Sequence, residues 1–165
     1  MGQYRIRIDS DWLHLPIGIH APRHYVRFLV GEEQYTELHL GLCSEAPDFY
    51  GAMEVSDIRG QELVICSDTV PDAWFLGIEP GGPMEEEPEK YKDVYREPMR
   101  QHYHFAPRRG WLNDPNGLVF DGEQYHLFFQ HNPYSNIHGD GDIHWGHAVS
   151  TDGVHWQERR DAIRP

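Results

Sequence analysis

At 165 residues and 39% hydrophobic, the chain has material for one ordinary core or two small ones and reads as globular. Its 27 acidic against 14 basic residues, a formal charge of -13, argue against a phosphate-binding surface and hence a nucleic-acid partner, while a neutral, hydroxyl-rich ligand such as a sugar is not disfavoured. No stretch is long enough to span a membrane and residues 1–8 lack a signal-peptide core, so a cytoplasmic chain without a membrane partner is expected; Cys43 and Cys66 suit free buried thiols better than a metal or disulfide framework.

Residues 4–78 consist of short alternating runs separated by turn residues, which predicts strands over 4–8, 25–30, 36–40, 49–55, 63–66 and 74–78. Val26, Phe28 and Val30 share one face, as do Thr36, Leu38 and Leu40, and Gly31-Glu32-Glu33-Gln34 joins the two runs as a hairpin. A small antiparallel β-sandwich over residues 1–78 fits this pattern. Its histidines, His14, His20, His24 and His39, lack a common ligand spacing and read as surface or packing residues.

Residues 79–99 read as an acidic Pro/Gly linker: Pro80, Gly81, Gly82 and Pro83 precede Glu85, Glu86, Glu87 and Glu89. The charge run reads as solvated, and a helical turn over 90–95 is weakly signalled.

Residues 100–165 carry eight of the 12 histidines and strand signals over 118–120, 125–131, 143–150 and 154–158, with Asp121-Gly122 and Asp152-Gly153 as turn dipeptides. Four consecutive strands joined by short turns have the size of a propeller blade. By parity His126, Phe128 and Gln130 lie on one face of the second strand, and Tyr125, Leu127 and Phe129 on the other. Ahead of these strands, Asn113-Asp114-Pro115-Asn116-Gly117 has by itself the composition of an ordinary tight turn. His144 and His147, three apart on a strand, point to opposite faces, which argues against a metal pair, and Asp140-Gly141-Asp142 reads as a polar loop rather than a calcium site. No metal and no cofactor is expected.

Several motifs then occur in order: His102-Tyr103-His104-Phe105-Ala106-Pro107-Arg108-Arg109-Gly110-Trp111, the Asn-Asp-Pro-Asn-Gly run, Tyr125-His126-Leu127-Phe128-Phe129-Gln130-His131-Asn132-Pro133-Tyr134, His144-Trp145-Gly146-His147-Ala148-Val149-Ser150 and His155-Trp156. Together they resemble the opening blade of glycoside hydrolase family 32, the invertases, inulinases and levanases that act on β-fructofuranosides and share a five-bladed β-propeller. More loosely, Leu13-His14-Leu15-Pro16, Val26 to Gly31 and Ala46-Pro47-Asp48-Phe49-Tyr50 are similar to the β-domain preceding the propeller in some levanase-like members.

The resemblance implies an all-β chain, a β-sandwich followed by one blade of a truncated propeller, acting as a retaining glycosidase on sucrose or a fructan. It also implies Asp114 as nucleophile, Asn113 and Gln130 as ligands to sugar hydroxyls, and Trp111 and Trp145 near the pocket, a packed ring being an equal reading of each Trp. A residue before proline is pushed out of the helical region, which would aim Asp114 from the end of a strand. Two departures stand out. The family usually places a Trp soon after Asn-Pro-Tyr, where this chain has a longer loop with His138, and the family's Arg-Asp-Pro and Glu-Cys motifs are absent from these residues. Arg160-Asp161-Ala162 lacks the Pro and is not equated with the former. Without an acid/base, catalysis by these residues alone is not expected. A non-catalytic carbohydrate-binding or oligomerising module is the alternative. Phe128, Phe129, Trp145 and Trp156 cannot all be buried within four short strands, which leaves two arrangements open: a homo-oligomer burying the blade, or a unit whose sandwich covers one of its faces.

Overall fold

A computed structural model describes residues 2–83, 94–139 and 141–165. The acidic run at 85–89, most of the suggested turn at 90–95 and Asp140 of the polar loop lie outside the described residues. The chain divides into two compact units, Met1–Lys92 and Asp93–Pro165. It is all-β: its strands form three antiparallel sheets, and the only helical segments among the described residues are two single 3-10 turns. No helix among the described residues is long and apolar enough to cross a membrane.

In the first unit one sheet has the order β1 (Gly2–Arg7), β6 (Glu62–Ser67), β3 (His24–Val30), β4 (Glu33–Leu40), and the other the order β5 (Phe49–Glu54), β2 (Trp12–Ile17), β7 (Glu79–Gly81). The alternation read along β3 and β4 is realised up to Phe28: Val26 and Phe28 are fully buried, as are Leu38 and Leu40, and Tyr25, Arg27, Glu37 and His39 take the opposite parity, but a register shift after Phe28 breaks it and Val30 and Thr36 are only half-buried. Gly31, at φ +62°, makes the tight turn between them.

Strand β2 carries no alternation because it is buried almost throughout, and Pro16 masks it further. The proline is tolerated because β7 pairs only with Trp12, Leu13 and His14, and beyond it the Pro16 carbonyl accepts the Cys43 N–H at 2.9 Å, a contact that needs no N–H from the proline. His14 is a packed residue, its Nε2 at 2.9 Å from the Gly82 carbonyl. The strand expected over 74–78 is not one. Asp72–Phe75 forms a 3-10 turn that buries Phe75, and Gly77 at φ +85° ends any extended run. Glu79–Gly81, linker-like in composition, pairs as β7.

The second unit is a four-stranded antiparallel meander of blade form, β8 (Trp111–Phe120), β9 (Tyr125–Asn132), β10 (His144–Ser150) and β11 (Gln157–Glu158). Strand β8 is far longer than the 118–120 run the sequence suggests, and the tight-turn pentapeptide lies inside it. Two register shifts against β9, at Asn113/Pro115 and at Asn116/Val119, absorb the extra residues. Strand β11 is shorter than expected because the preceding residues are held in a side-chain-capped turn. Asp152 Oδ1 accepts the Val154 and His155 N–H groups, and Ser150 Oγ accepts those of Asp152 and Gly153.

Leu127, Phe129 and Ala148 form the blade's core, with Phe105, Leu112 and Trp156 packed on them. Gly146 is required there, since a Cβ at that position would lie 2.3 Å from the Phe129 ring. The four large rings are not all buried, as the sequence reading has it. Phe129 is fully buried and Phe128, Trp145 and Trp156 are half-buried, Phe128 stacking on His147 at 4.6 Å, while Leu118, Val119 and Phe120 on β8 are among the exposed apolar residues.

Candidate active site

The blade's two faces divide its chemistry. On β9 Leu127, Phe129 and His131 point into the core and His126, Phe128 and Gln130 to the other side, as the parity reading has it. Register extends the second face across the sheet, because Asn113 and Trp145 both lie opposite Gln130, from β8 and β10 respectively. Three predicted residues are thus neighbours across strands, and hydrogen bonds join Asn113 and Gln130 to a fourth, Trp111. Trp111 Nε1 donates to Asn113 Oδ1 at 2.8 Å, and Asn113 Nδ2 donates in a short bond to Gln130 Oε1. With its oxygen so engaged, Gln130 keeps both amide hydrogens for another acceptor. His138 brings its ring to 5.5 Å from that of Trp111, so an imidazole stands beside the aromatic wall.

Asp114 follows Asn113 at the first register shift. It is exposed, and its carboxylate has no hydrogen-bond or ion-pair partner among the described residues. Its backbone corrects the expectation drawn from the following proline: at φ +36° it is in the left-handed region, not the extended one. Asp is among the few residues that tolerate this region, and the bulge rather than the proline sets its direction. Gly117, also left-handed at φ +63°, approaches the Phe128 ring near the second shift.

Beneath this face lies a set of charged residues that motif reading does not identify. His131, nearly fully buried, places Nδ1 at 3.1 Å from Asp161 Oδ1 and Nε2 at 3.0 Å from the Arg109 carbonyl. Both ring nitrogens face acceptors, which makes the ring an imidazolium. Burial opposes that charge, but the Asp161 carboxylate outweighs it and the His131 pKa is raised. Asp161 responds in the opposite sense: burial pushes it up, His131 and His144 pull harder, and it is held well below the usual carboxylate range. Its second oxygen is 2.9 Å from His144 Nδ1, a close contact without hydrogen-bond alignment, and His144 Nε2 is buried without a hydrogen-bond partner among the described residues.

The segment entering β8 is clamped as well. Glu97 binds Arg100 at 2.8 Å and Arg109 more closely, and Arg100 donates to the Pro107 and Arg108 carbonyls. Burial raises the Glu97 pKa, but the two guanidiniums lower it to about 2. Glu158 accepts the Arg108 N–H at 2.8 Å, and burial pushes its pKa up. Arg109-Gly110-Trp111 is thereby fixed from several directions just ahead of the candidate nucleophile. At Gly110, φ +82°, a Cβ would meet the Asn132 carbonyl at 2.0 Å.

On the open face Asp121, His126 and His147 form a line. Asp121 Oδ2 is 3.0 Å from His126 Nε2, and His126 Nδ1 is 3.0 Å from His147 Nε2. Burial first, then His126 and Arg159, depress the His147 pKa. His144 and His147 take opposite faces, as their spacing predicts. Among the described residues no group of three or more His, Cys, Asp or Glu side chains is placed to hold a metal ion.

Compared with known proteins, residues 104–165 match the profile described as Glycosyl hydrolases family 32 N-terminal domain. Over 73 residues the chain is 51% identical to the extracellular exo-inulinase of Aspergillus awamori, covering 44% of this chain and 13% of that one. Over 122 residues it is 36% identical to the invertase of Schizosaccharomyces pombe, covering 72% of this chain and 20% of the other. A crystal structure of the Aspergillus awamori exo-inulinase aligns with a TM-score of 0.40 at 48% identity, covering 42% of this chain and 13% of that one. The chain thus spans only a small part of the length of these relatives.

Proposed function

Residues 104–165 belong to glycosyl hydrolase family 32, and on that premise we propose that they supply the nucleophile side of a retaining β-fructofuranosidase site acting on sucrose or a fructan. The observation that carries this reading is Asp114, an exposed, unpartnered carboxylate on a left-handed bulge beside the Trp111–Asn113–Gln130 hydrogen-bond chain.

In this reading Asp114 attacks the anomeric carbon of a fructosyl unit. The carbon–oxygen bond to the leaving group breaks as an ester to Asp114 forms, and water then hydrolyses that ester. The free amide hydrogens of Gln130 and the remaining one on Asn113 donate to sugar hydroxyls, their other polar atoms being committed to each other and to Trp111. Half-buried Trp111 and Trp145, with His138 beside the former, wall the sugar. The left-handed backbone at Asp114 is a strain of roughly 1 kcal/mol, the kind that persists where the surrounding structure over-determines it.

A retaining mechanism needs a second carboxyl roughly 5 Å from the nucleophile. Asp161 does not fill that role, because its two oxygens face His131 and His144 in the interior. We assign no acid/base among these residues, so the 165 residues by themselves are expected to leave sucrose, inulin and levan intact. The test is reducing-sugar release from those three substrates by this chain and by the longest reading frame that contains it. Activity in the longer protein should fall at least about a thousandfold in Asp114→Asn. Full activity in that variant removes Asp114 from the nucleophile role, and turnover by the 165 residues overturns the missing acid/base.

A further inference from the structure

The first unit carries a cavity of about 300 Å³, at the lower end of the range of roughly 300–1,000 Å³ found for small-molecule sites. It opens on the side of the β3–β4 pair away from the core, where β6 runs out into Asp68 and Thr69. Tyr25 is 66% exposed and lies directly across the ladder from His39, their rings stacked 4.7 Å apart at 29°. One face of the Tyr25 ring is therefore held by the imidazole, and the ring is presented at the cavity as a fixed apolar plate. Its ordering needs little further side-chain entropy on binding.

Several polar groups around that plate are paired. Arg27 Nη2 and Asp68 Oδ2 are 3.1 Å apart, and Glu37 faces Arg27 across the ladder. Thr69 Oγ1 is 2.8 Å from His24 Nδ1. A guanidinium beside a carboxylate offers donors and acceptors side by side, the pattern that neighbouring hydroxyl groups complement. Two guanidiniums, Arg23 and Arg27, and two carboxylates, Glu37 and Asp68, line the pocket, so its formal charges balance and it favours an uncharged ligand over an anion.

We propose that this cavity is an auxiliary binding site for a neutral saccharide of the fructan type, stacked on Tyr25 and hydrogen-bonded by Arg27 and Asp68, separate from the blade. The choice of fructan rests on the function proposed above; the choice of a neutral sugar rests on the cavity alone. The full 165-residue chain should be retarded in native gels cast with levan or inulin. Retardation should weaken about tenfold in Tyr25→Ala, as when an anchoring aromatic is truncated, and also in Asp68→Ala. Both side chains are largely exposed, and circular dichroism verifies that the variants fold. Arg59→Ala, outside the cavity lining, should leave the retardation unchanged.

No retardation by either fructan overturns the proposal, as does equal retardation of Tyr25→Ala and the parent chain. Loss in Asn113→Ala with retention in Tyr25→Ala assigns the binding to the blade and overturns it too. Competition by millimolar inorganic phosphate identifies an anion site and has the same effect. The two readings fail separately: Tyr25-dependent retardation together with hydrolysis that survives Asp114→Asn leaves this site standing and removes the proposed nucleophile.

Discussion

In the first unit the Arg5–Glu62 and Arg59–Asp11 ion pairs have side chains more than half exposed, while its core is built from aliphatic residues such as Leu13, Leu15, Val26 and Ile65. The blade does the reverse. Its apolar core is small, and beside it lie Asp161, His131 and His144, with Glu158 and the Glu97 clamp close to the strand that carries Asp114. The lesson is where each unit is vulnerable: one to lost apolar volume, the other to lost charge partners and to pH.

The most severe test of that difference is Asp161→Ala, which leaves the buried His131 cation and His144 without their carboxylate. It should destabilise the blade by about 3–5 kcal/mol, read as lost amide-exchange protection in β9 and β10 with the first unit unaffected. A blade that keeps its protection would mean the charges are dispensable. Gly146→Ala probes the small apolar core and should cost about 1–3 kcal/mol, because the buried Phe129 ring has to move aside. Loss of less than about 0.5 kcal/mol would show that the blade repacks freely.

pH sharpens the contrast. His131 has a raised pKa in the folded chain, so its stabilisation is complete below the unfolded value of roughly 6.5 and is lost as pH rises through the folded value. Asp161 has a lowered one, so its stabilisation is present above roughly 3.9 and is lost as pH falls through the folded value. Glu158, raised by burial, subtracts stability as pH climbs from its unfolded value toward its folded one. Blade stability should therefore fall at both ends, and His131→Gln should flatten the alkaline fall in a thermal-melt series from pH 5 to 9. An unchanged alkaline limb would remove His131 as its source. The smallest effect belongs to Arg59→Ala in the first unit, within about 0.5 kcal/mol in urea unfolding, since its ion pair is solvated.

Alternation on β3, β4 and β9 was legible because each has one face in a core and one outside, so parity alone separates Val26 from Tyr25 and Leu127 from His126. Strand β2 was not, since it is buried along most of its length. The stretch at 74–78 has the aromatic and aliphatic content of a strand, but nothing in composition reveals that Gly77 adopts positive φ. At the site, motif order singled out Asp114, Asn113, Gln130, Trp111 and Trp145, and register brings Asn113 and Trp145 to either side of Gln130. The residues beneath were illegible for a physical reason. His131, His144 and Asp161 come from two strands and the segment after β11, with no spacing to mark them, and only the fold brings them into contact.

The bulged course of β8 has a consequence for change over generations. Asn113, Asn116 and Val119 lie opposite Gln130, Phe128 and His126, so this strand repeats its facing every third residue where a regular strand repeats every second. The ladder pairs it at Trp111–Asn113, at Pro115–Asn116 and again at Val119–Phe120, and the residues from Asp114 onward are exposed. Substitutions at Asp114 and Leu118, exposed and without a ladder partner, can alter the surface while the paired residues keep the sheet in register. The candidate nucleophile Asp114 thus sits at a position that takes no partner in the ladder and whose side chain the sheet does not use.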